Sequence, residues 1–396
     1  MYKCYFLLDE ILESPYEPIS IKLPGSRLHS MPLDYLLGHF DDFNYRNFFH
    51  ISRIELLDTQ TPKFIVNVIH MPNWVDTNLS KDGIDLLKND PNVYLCLITT
   101  LEGVLDTKAL ANELNSKEIP LHKVVVITSN MQAHGNKLDG VNYICVNFWE
   151  SITRLHHQTL PDISVTTPTQ LSINTAEKKF LCLNRNIKPH RIWLMYSLLR
   201  SDIIKEGHIS FNLPSVDRRA FYVCARSHHT LKRIPESLHS DYKMALVREM
   251  YNRKLDPLHN HHVINYNSSI KSYYNDSLMS VITESDTNLN FITEKTYKAM
   301  MNLHPFFIVG NPDQHALLRA RGYHTFEDLF GVDQITNYTE ALKMWKHIGS
   351  KSIDVLKQNI KKKYLDKLIH NQQLFLSRKI SWNDITDNLI TAVGGD

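Results

Sequence analysis

Short runs of β-branched and aliphatic residues recur along this chain, and a segment of helical character separates two of them. In the first part of the chain these runs are Phe64–Ile69, Val93–Thr100, Val124–Thr128 and Val141–Val146. The helical segment, at about residues 107–117, lies between the second and third runs. Continuous apolar strands joined through helices are typical of a parallel sheet that is covered on both faces. The sequence therefore predicts an α/β protein.

A second alternating set follows in the middle of the chain. Its predicted strands are Phe180–Asn184, His208–Asn212, Leu278–Thr283 and Pro305–Val309, and its predicted helices are Pro189–Asp202, Thr293–Leu303 and Asp313–Arg321. Gly322 stands just after the last of these helices, where a glycine commonly ends a helix. The segment 215–270 is rich in Arg and His and is predicted to be helical or loop-like. The tail from about 339 to 392 is predicted to be helical.

The two alternating sets, together with the length of the chain, indicate two domains. A chain of 396 residues is too long for one ordinary core, and domains of about 150–200 residues are expected. Residues 161–177 are polar, contain several Thr and Pro, and lack periodicity, as linkers do. We therefore predict an N-terminal domain over 1–160, a linker over 161–177, a second domain over 178–345 and a C-terminal helical tail over 346–396.

Composition narrows the classes of protein and the compartment. The formal net charge is only +2, which argues against a general nucleic-acid or membrane-surface binder. Five cysteines are scattered without a CxxC pair, as expected for reduced thiols in the cytoplasm. No run approaches 18 uninterrupted apolar residues, so we expect no transmembrane segment. The chain is predicted to be cytoplasmic and to meet any partner there or on a membrane reached from there.

The candidate site lies in the second set of strands. In an open parallel sheet, ligands bind beyond the carboxyl ends of the strands, near the N-termini of the helices that follow. Residues 184–190 and 284–293 are the loops at those positions. In the first loop, Arg185, Lys188 and Arg191 surround a helix start that a proline marks at its first position.

The second loop ends in Phe291-Ile-Thr-Glu-Lys, which puts Thr293 at the N-cap and Lys295 in the first helical turn. A cation at a helix N-terminus opposes the helix dipole by roughly 0.3–1 kcal/mol, and acidic residues are more usual there. Two cationic helix starts are explained if an anion such as a phosphate lies between them. The alternative is that these are ordinary solvated or ion-paired side chains.

Three motifs in the order found here resemble the donor domain of family-10 glycosyltransferases, the α1,3-fucosyltransferases and their relatives. They are Phe180-Leu-Cys-Leu-Asn-Arg-Asn-Ile-Lys-Pro-His-Arg, then Val281-Ile-Thr-Glu-Ser with Phe291-Ile-Thr-Glu-Lys, and finally His304-Pro-Phe-Phe-Ile-Val-Gly. The resemblance covers about residues 178–330. The pattern that ends in Leu317-Leu-Arg-Ala-Arg-Gly-Tyr-His-Thr-Phe is also similar to a set of phage, virus and bacterial glycosyltransferase-like proteins.

This resemblance implies a GT-B architecture, in which two Rossmann-like domains with a cleft between them are followed by the helical tail. The N-terminal domain would face the acceptor, and the C-terminal domain would bind a nucleotide-sugar donor. The resemblance implies that Arg185 or Arg191, with Lys295, holds the donor diphosphate, while Glu284 and Glu294 face the nucleotide sugar. Asn184 and Thr293 complete the predicted donor site. No metal and no cofactor other than the nucleotide-sugar co-substrate is implied.

An inverting transfer also requires a general base, usually a carboxylate of the N-terminal domain. Glu102 follows the predicted strand Val93–Thr100 and precedes a glycine, so it is the candidate. Asp106 in the same loop is the reserve. The alternative for both is an acid in an ordinary surface turn.

The prediction is a metal-independent, inverting glycosyltransferase that acts on a glycan or a lipid-linked acceptor. One alternative is a phage-type enzyme that glycosylates a modified DNA base, since Lys357, Lys361–Lys363 and Lys367 form a basic helical patch. Another is a non-catalytic nucleotide-binding or assembly protein of the same fold. His228-His229 and His259-Asn-His261-His262 lack an acid or cysteine at metal-ligand spacing, so no metal site is predicted. The oligomeric state is left open.

Overall fold

The computed structural model describes residues 3–9, 11–14, 17–21, 31–32, 46, 48–68, 77, 79–99, 106–130, 137–159, 165–167, 173–184, 187–211, 218–245 and 271–394. The chain divides into two compact units: Met1–Ile152 with Lys379–Asp396, and Thr153–Arg378. Each unit is built on a sheet of parallel strands with helices between them. The prediction of an α/β protein with parallel sheets is confirmed.

In the first unit, the described strands are β1 (Tyr5–Leu8), β2 (Ile11–Ser14), β3 (Glu17–Ile21), β4 (Met31–Pro32), β5 (Phe48–His50), β6 (Lys63–Val68), β7 (Val93–Thr99), β8 (Val124–Thr128) and β9 (Asn142–Cys145). The described helices are α1 (Lys81–Asn89), α2 (Thr107–Ser116) and α3 (Phe148–Thr159), and 3₁₀ turns cover Ile51–Leu56 and Leu121–Lys123. Helix α3 runs across the boundary into the second unit.

The main sheet of the first unit has the order β5-β1-β6-β7-β8-β9, and all neighbouring strands are parallel. Strands β6, β7 and β8 are buried at nearly every residue, because both faces of a parallel sheet are covered. Ile65, Leu95 and Val126 from these strands pack with Leu110 and Leu114 of α2. The sequence predicted β6 to β9, but it did not predict β1 and β5, whose apolar runs are too short to stand out. Strands β2, β3 and β4 form a separate antiparallel sheet.

In the second unit, the described strands are β10 (Lys178–Asn184), β11 (Gly207–Phe211), β12 (Ser277–Thr283) and β13 (Phe306–Val309). The described helices are α4 (Pro189–Leu199), α5 (Arg218–Ala225), α6 (His228–Leu231), α7 (His239–Ala245), α8 (Lys271–Asn275), α9 (Glu294–Met301), α10 (Asp313–Ala320), α11 (Glu327–Phe330), α12 (Tyr338–Gly349), α13 (Ile353–Asn359) and α14 (Leu365–Ser377). Shorter 3₁₀ turns cover Ile204–Glu206 and Glu236–Leu238, and a π turn covers Ile360–Tyr364.

Helix α4 is the centre of the second unit. Every residue from His190 to Leu198 is buried, so this helix is covered on all sides rather than along one stripe. Helix α12 packs against it, and the indole nitrogen of Trp345 donates to the Ser197 hydroxyl over 3.1 Å. The Phe180 ring of β10 lies 4.8 Å from the Trp345 ring, which ties the sheet to the same core.

The C-terminal segment differs from the predicted separate tail over 346–396. Residues up to Arg378 belong to the second unit, and the last helix, α15 (Trp382–Ala392), belongs to the first. There Trp382 packs on Phe6 and Phe48, and Asn142 donates to the Ala392 carbonyl over 2.6 Å. This aromatic contact explains why the last helix packs in the first unit, because the burial of a large apolar ring contributes strongly to stability.

Part of the predicted linker over 161–177 is also packed. Thr166 donates its amide to the Met301 carbonyl and its hydroxyl to Asn302, both within the second unit. No helix in the described part of the chain is long and apolar enough to cross a membrane.

Candidate functional site

The sheet of the second unit reverses its direction of growth beside β10. Its order is β11-β10-β12-β13, so the chain adds β11 on one side of β10 and later adds β12 on the other. Loops that leave two such strands diverge, and ligands of open parallel sheets bind in the crevice beyond the carboxyl ends. Asn184 ends β10 and Thr283 ends β12, and the Thr283 hydroxyl donates to the Asn184 side-chain oxygen over 2.6 Å. This bond joins the two strand ends at the switch point.

A pocket of about 490 Å³ lies at this edge of the sheet. Its volume is within the range of roughly 300–1,000 Å³ that small-molecule sites have. It is lined by residues after β10, β12 and β13 and around α6: Lys188, Pro189, His190, Trp193, His229, Lys232, Arg233, Ser285, Asp286, Thr287, Asn288, Gly310, Pro312, Ile335 and Thr336. Three of these residues carry a full positive charge and one, Asp286, carries a negative charge. The lining therefore favours an anionic ligand.

Lys188, Lys232 and Arg233 are here called the pocket cations. Lys232 and Arg233 follow helix α6 and are exposed, and neither side chain makes an ion pair within the described part of the chain. Lys188 is the N-cap residue of α4 and donates its ammonium group to the Ser285 carbonyl. Pro189 is at the first position of that helix, as predicted. The first-turn amides of α4 therefore lie next to a lysine at the pocket wall.

His190 connects the start of α4 to the end of β12. Its Nε2 atom lies 2.9 Å from the Glu284 carbonyl oxygen, which can only accept, so Nε2 carries the proton and donates. Burial lowers the pKa of His190 to about 3, and the charges of Arg191, Lys188 and Lys295 act in the same direction. The imidazole is therefore neutral at physiological pH and serves as a fixed donor.

Glu284 organises the start of α9. Its side chain is fully buried, and its carboxylate accepts the Thr293 amide at 3.0 Å, the Thr293 hydroxyl at 2.6 Å and the Thr296 hydroxyl at 2.9 Å. Thr293 holds the N-cap position, as predicted, but its side chain makes no capping hydrogen bond. The Glu284 carboxylate at the end of β12 instead binds the amide and the hydroxyl of the N-cap residue itself. The anion at the start of α9 is the protein's own.

Arg191 and Lys295 are here called the inner cations, and both act on this carboxylate or its backbone. Arg191 is 3% exposed and donates to the carbonyls of Thr283 and Glu284 at 3.3 and 3.4 Å. The Lys295 ammonium donates to the Thr293 hydroxyl at 2.8 Å and lies 3.8 Å from Glu284. Lys295 is the more accessible of the two, with 29% of its side chain exposed.

Glu294 is the second acid of this cluster and lies 3.6 Å from Lys295. Burial raises the pKa of Glu294, but the charges of Lys295 and Lys298 and nearby hydrogen bonds outweigh it, so the net pKa is lowered. Burial lowers the pKa of Lys298 to about 8, against the attraction of Glu294. The acid is therefore charged at neutral pH and balances part of the local positive charge.

Hydrogen bonds in the structure bring together five of the residues predicted to bind the nucleotide-sugar donor: Asn184, Arg191, Glu284, Thr293 and Lys295. Glu294 is next to this group through its ion pair with Lys295. None of these six lines the described pocket. Arg185 and the predicted base Glu102 lie outside the described residues. Asp106, the reserve base, is the N-cap of α2 and accepts the Lys108 and Ala109 amides at 3.0 Å each.

Sequence reasoning did not single out the pocket residues Lys232 and Arg233. The only signal was the richness of the segment 215–270 in Arg and His, and a loop-like segment gives no periodicity from which to place a side chain. Across the described residues no group of three or more His, Cys, Asp or Glu side chains is arranged to hold a metal ion. His259, His261 and His262 lie outside those residues.

Comparisons with known proteins identify no family for this chain. No protein-family model matches the chain, and no curated protein matches it. A solved structure described as the crystal structure of alpha1,3-fucosyltransferase is 12% identical and matches with a TM-score of 0.34, over 86% of this chain and 93% of that one. At this identity and TM-score the likeness carries no argument.

Proposed function

We propose that the second unit binds a nucleotide-sugar donor and that the protein is a glycosyltransferase. The observation that carries the proposal is the cation-lined pocket beyond the carboxyl ends of β10, β12 and β13, at the switch point of a parallel sheet. A pocket at this place is the usual ligand site of such a sheet. Its excess of positive charge suits a diphosphate.

The chemistry of glycosyl transfer fits a site of this kind. An acceptor oxygen forms a bond to the anomeric carbon, the bond from that carbon to the diphosphate breaks, and the diphosphate leaves with additional negative charge. Fixed cations and helix-start amides stabilise that charge best in the transition state. We assign this role to the pocket cations and the first turn of α4.

The predicted donor residues divide into two roles in this proposal. Arg185 would contact the donor phosphates directly, and so would Lys295, whose side chain is 29% exposed although it does not line the described pocket. Arg191, Glu284 and Thr293 would act as positioning residues, because their polar groups hold the end of β12 and the start of α9. Asn184 would fix the end of β10, and Glu294 would balance the charge of Lys295.

Calorimetry with a panel of nucleoside diphosphates tests the proposal. At least one of UDP, GDP, ADP and CDP should bind. At 100 times its dissociation constant, that ligand should raise the free energy of unfolding by about 2.7 kcal/mol in a thermal-shift experiment. If none binds and none shifts the melting temperature, the assignment of a nucleotide-sugar pocket is wrong.

The proposal extends to an inverting reaction in a GT-B architecture, with Glu102 as the general base. Asp106 is the weaker candidate, because its carboxylate already caps α2. Glu102→Gln should lower kcat by a factor of about 10²–10⁴ and leave nucleoside diphosphate binding near that of the wild type. Equal losses in binding and turnover would mean that Glu102 holds substrate. An unchanged rate would transfer the role to Asp106, which Asp106→Asn would test.

We further propose that cations of the chain replace a metal ion, so that activity persists in excess EDTA. Loss of activity on chelation and its recovery with Mg²⁺ or Mn²⁺ would contradict this. The acceptor would be a glycan or a lipid-linked glycan. Transfer to modified DNA bases is the alternative that an acceptor screen would detect. Nucleotide binding without transfer to any acceptor would instead favour a non-catalytic role.

A further inference from the structure

Two buried amide side chains of the second unit do not complete their hydrogen bonds among the described residues. Asn290 is 1% exposed, and neither its amide nitrogen nor its amide oxygen has a partner among the described residues. Gln314 is fully buried, and its Oε1 atom has no donor among those residues. Buried polar groups are nearly always satisfied, so each exception requires an explanation.

Neither amide lines the pocket, but both are close to residues that do. The segment 285–292 contributes its first four residues to the pocket lining, and Asn290 follows them. Gln314 donates its Nε2 atom to the Phe291 carbonyl over 2.8 Å, so it is bonded to the same segment. Its unsatisfied Oε1 lies against Gly310, which also lines the pocket.

The segment is held at its two ends. Lys188 donates to the Ser285 carbonyl at one end, and Glu284 accepts the Thr293 amide and hydroxyl at the other. Lys188 is also a pocket cation, so an anion that arrives there competes with the Ser285 carbonyl for the same ammonium group. Binding of a phosphate therefore weakens one attachment of the segment that carries Asn290, which Glu284 and Gln314 hold at other points.

We propose that Asn290 is a specificity-determining residue that binds the uncharged, hydroxyl-bearing part of the ligand, the sugar ring of a nucleotide sugar. When phosphate engages Lys188, the segment shifts and the carboxamide of Asn290 turns to the pocket. A carboxamide both donates and accepts, as neighbouring hydroxyl groups do, so the two are complementary. Gln314 positions the segment through Phe291. This inference rests on the proposed function.

The experiment compares two ligands that differ only in the sugar. Affinities for UDP and UDP-glucose, and for GDP and GDP-mannose, are measured by calorimetry on the wild type and on Asn290→Leu. For the pair that the wild type binds, the variant should bind the nucleotide sugar about tenfold more weakly and the nucleoside diphosphate within twofold of wild type. Unchanged affinity for the nucleotide sugar would overturn the assignment. If the wild type binds ADP or CDP instead, the same comparison is made with that nucleotide and its sugar, and if it binds no nucleoside diphosphate and no nucleotide sugar, the proposed function itself fails.

A melting experiment tests the premise separately. Asn302 is a matched control, since it is 5% exposed but its amide donates to the Lys298 carbonyl and accepts from Thr166. Without ligand, Asn290→Leu should melt at or above the wild-type temperature, because it removes unsatisfied polar atoms from a buried place. Asn302→Leu should melt lower. A marked fall for Asn290→Leu would show that the amide is satisfied within the fold and would overturn the inference.

Discussion

Two groups of cations lie at the carboxyl edge of the second sheet, and their surroundings differ. The inner cations, Arg191 and Lys295, are directed to backbone carbonyls, a threonine hydroxyl and the buried carboxylate of Glu284. Two of the pocket cations, Lys232 and Arg233, are exposed and line a pocket. The inner group stabilises the protein's own anion, whereas the pocket group is placed to attract one from solution.

The contrast shows why a cation at a helix start is not sufficient evidence for an anion site. Helix α9 begins beside Lys295, but the Thr293 amide and the hydroxyls of Thr293 and Thr296 there already bind the carboxylate of Glu284. Because the two charges compensate each other within the fold, the region needs no external phosphate to be stable. Helix α4 begins at Lys188, at the wall of an open pocket, and the same reasoning leaves that helix start available to a ligand.

Removal of the buried Glu284 carboxylate, here called the inner anion, should have the largest effect on stability. Glu284→Ala removes the acceptor of three hydrogen bonds and leaves Arg191 and Lys295 beside an uncompensated buried site. We expect a loss of about 3–5 kcal/mol in the free energy of unfolding, as for a broken buried pair. Urea denaturation followed by circular dichroism, with the m value compared between proteins, measures it.

Glu294→Ala is the control, since that carboxylate is part-exposed and lies 3.6 Å from Lys295. It should cost less than Glu284→Ala, because 17% of the Glu294 side chain is in contact with water whereas Glu284 is fully buried. Equal losses for the two variants would mean that Glu284 has no special role in the start of α9.

Substitution of the exposed pocket cations should instead weaken ligand binding and leave stability nearly unchanged. Lys232→Ala or Arg233→Ala should weaken nucleoside diphosphate binding by about 1.5–3 kcal/mol, the value of a charge-assisted contact. Because both side chains are exposed, the free energy of unfolding should change by no more than about 0.5 kcal/mol. Calorimetry and urea denaturation on the same samples separate the two quantities.

The inner cations complete this test. The sequence-based prediction assigns Lys295 and Arg191 a similar share of diphosphate binding. The contacts of Arg191 instead lead us to expect mainly a loss of stability for Arg191→Ala, and a loss of affinity for the more accessible Lys295→Ala. Pocket variants that bind like wild type would contradict the division into two groups.

Local patterns were sufficient for most strands and helices near the site, but not for its contacts. The strands ending at Asn184 and Thr283 are continuous apolar runs, and the helix starts carry Pro or Thr, so sequence locates both loops. Which charged side chains contact each other is determined by the tertiary fold and not by local sequence. Nothing in the sequence indicates that Glu284 accepts from Thr293 rather than from a ligand. Lys232 and Arg233 come from a segment without periodicity, so only the folded chain brings them to the pocket.

Gly310 tests how tightly the pocket wall is packed against the inner anion. A Cβ atom at this position would overlap Gln314 Oε1 and lie 3.2 Å from the Cβ atom of Glu284. Gln314 has little freedom to move, since it is fully buried and bonded to Phe291. Gly310→Ala should therefore cost about 1–3 kcal/mol of stability, as overpacking does. The change is measured by urea denaturation.

A double-mutant cycle identifies the cause of that loss. Because Gln314→Ala removes the overlapping atom, the two substitutions together should cost less than the sum of the single costs. Additive costs would show that the strain at Gly310 lies elsewhere.

A third carboxylate, which does not line the pocket, sharpens the comparison because no ligand is assigned to it. Glu327 of α11 lies 3.3 Å from His315 Nδ1 and also pairs with Arg319. Burial raises the pKa of Glu327, but the hydrogen bond from His315 and further hydrogen bonds outweigh it and lower the pKa from 4.5 to about 2. Like Glu284, this carboxylate is bound by donors of the chain itself.

The lowered pKa of Glu327 determines how its contribution to the free energy of unfolding depends on pH. Because the folded pKa is below the unfolded one, the stabilisation is complete above pH 4.5 and is lost as the pH falls from 4.5 through about 2. We expect about 1–2 kcal/mol, less than the shift would give in full, because 17% of the side chain is exposed and water screens it. Urea denaturation at several pH values should show a shallower acid slope for Glu327→Gln than for wild type. Arg319→Met should keep most of the slope, since the His315 hydrogen bond remains. If Arg319→Met flattens the slope as much as Glu327→Gln does, the ion pair with arginine, rather than the histidine, holds this carboxylate.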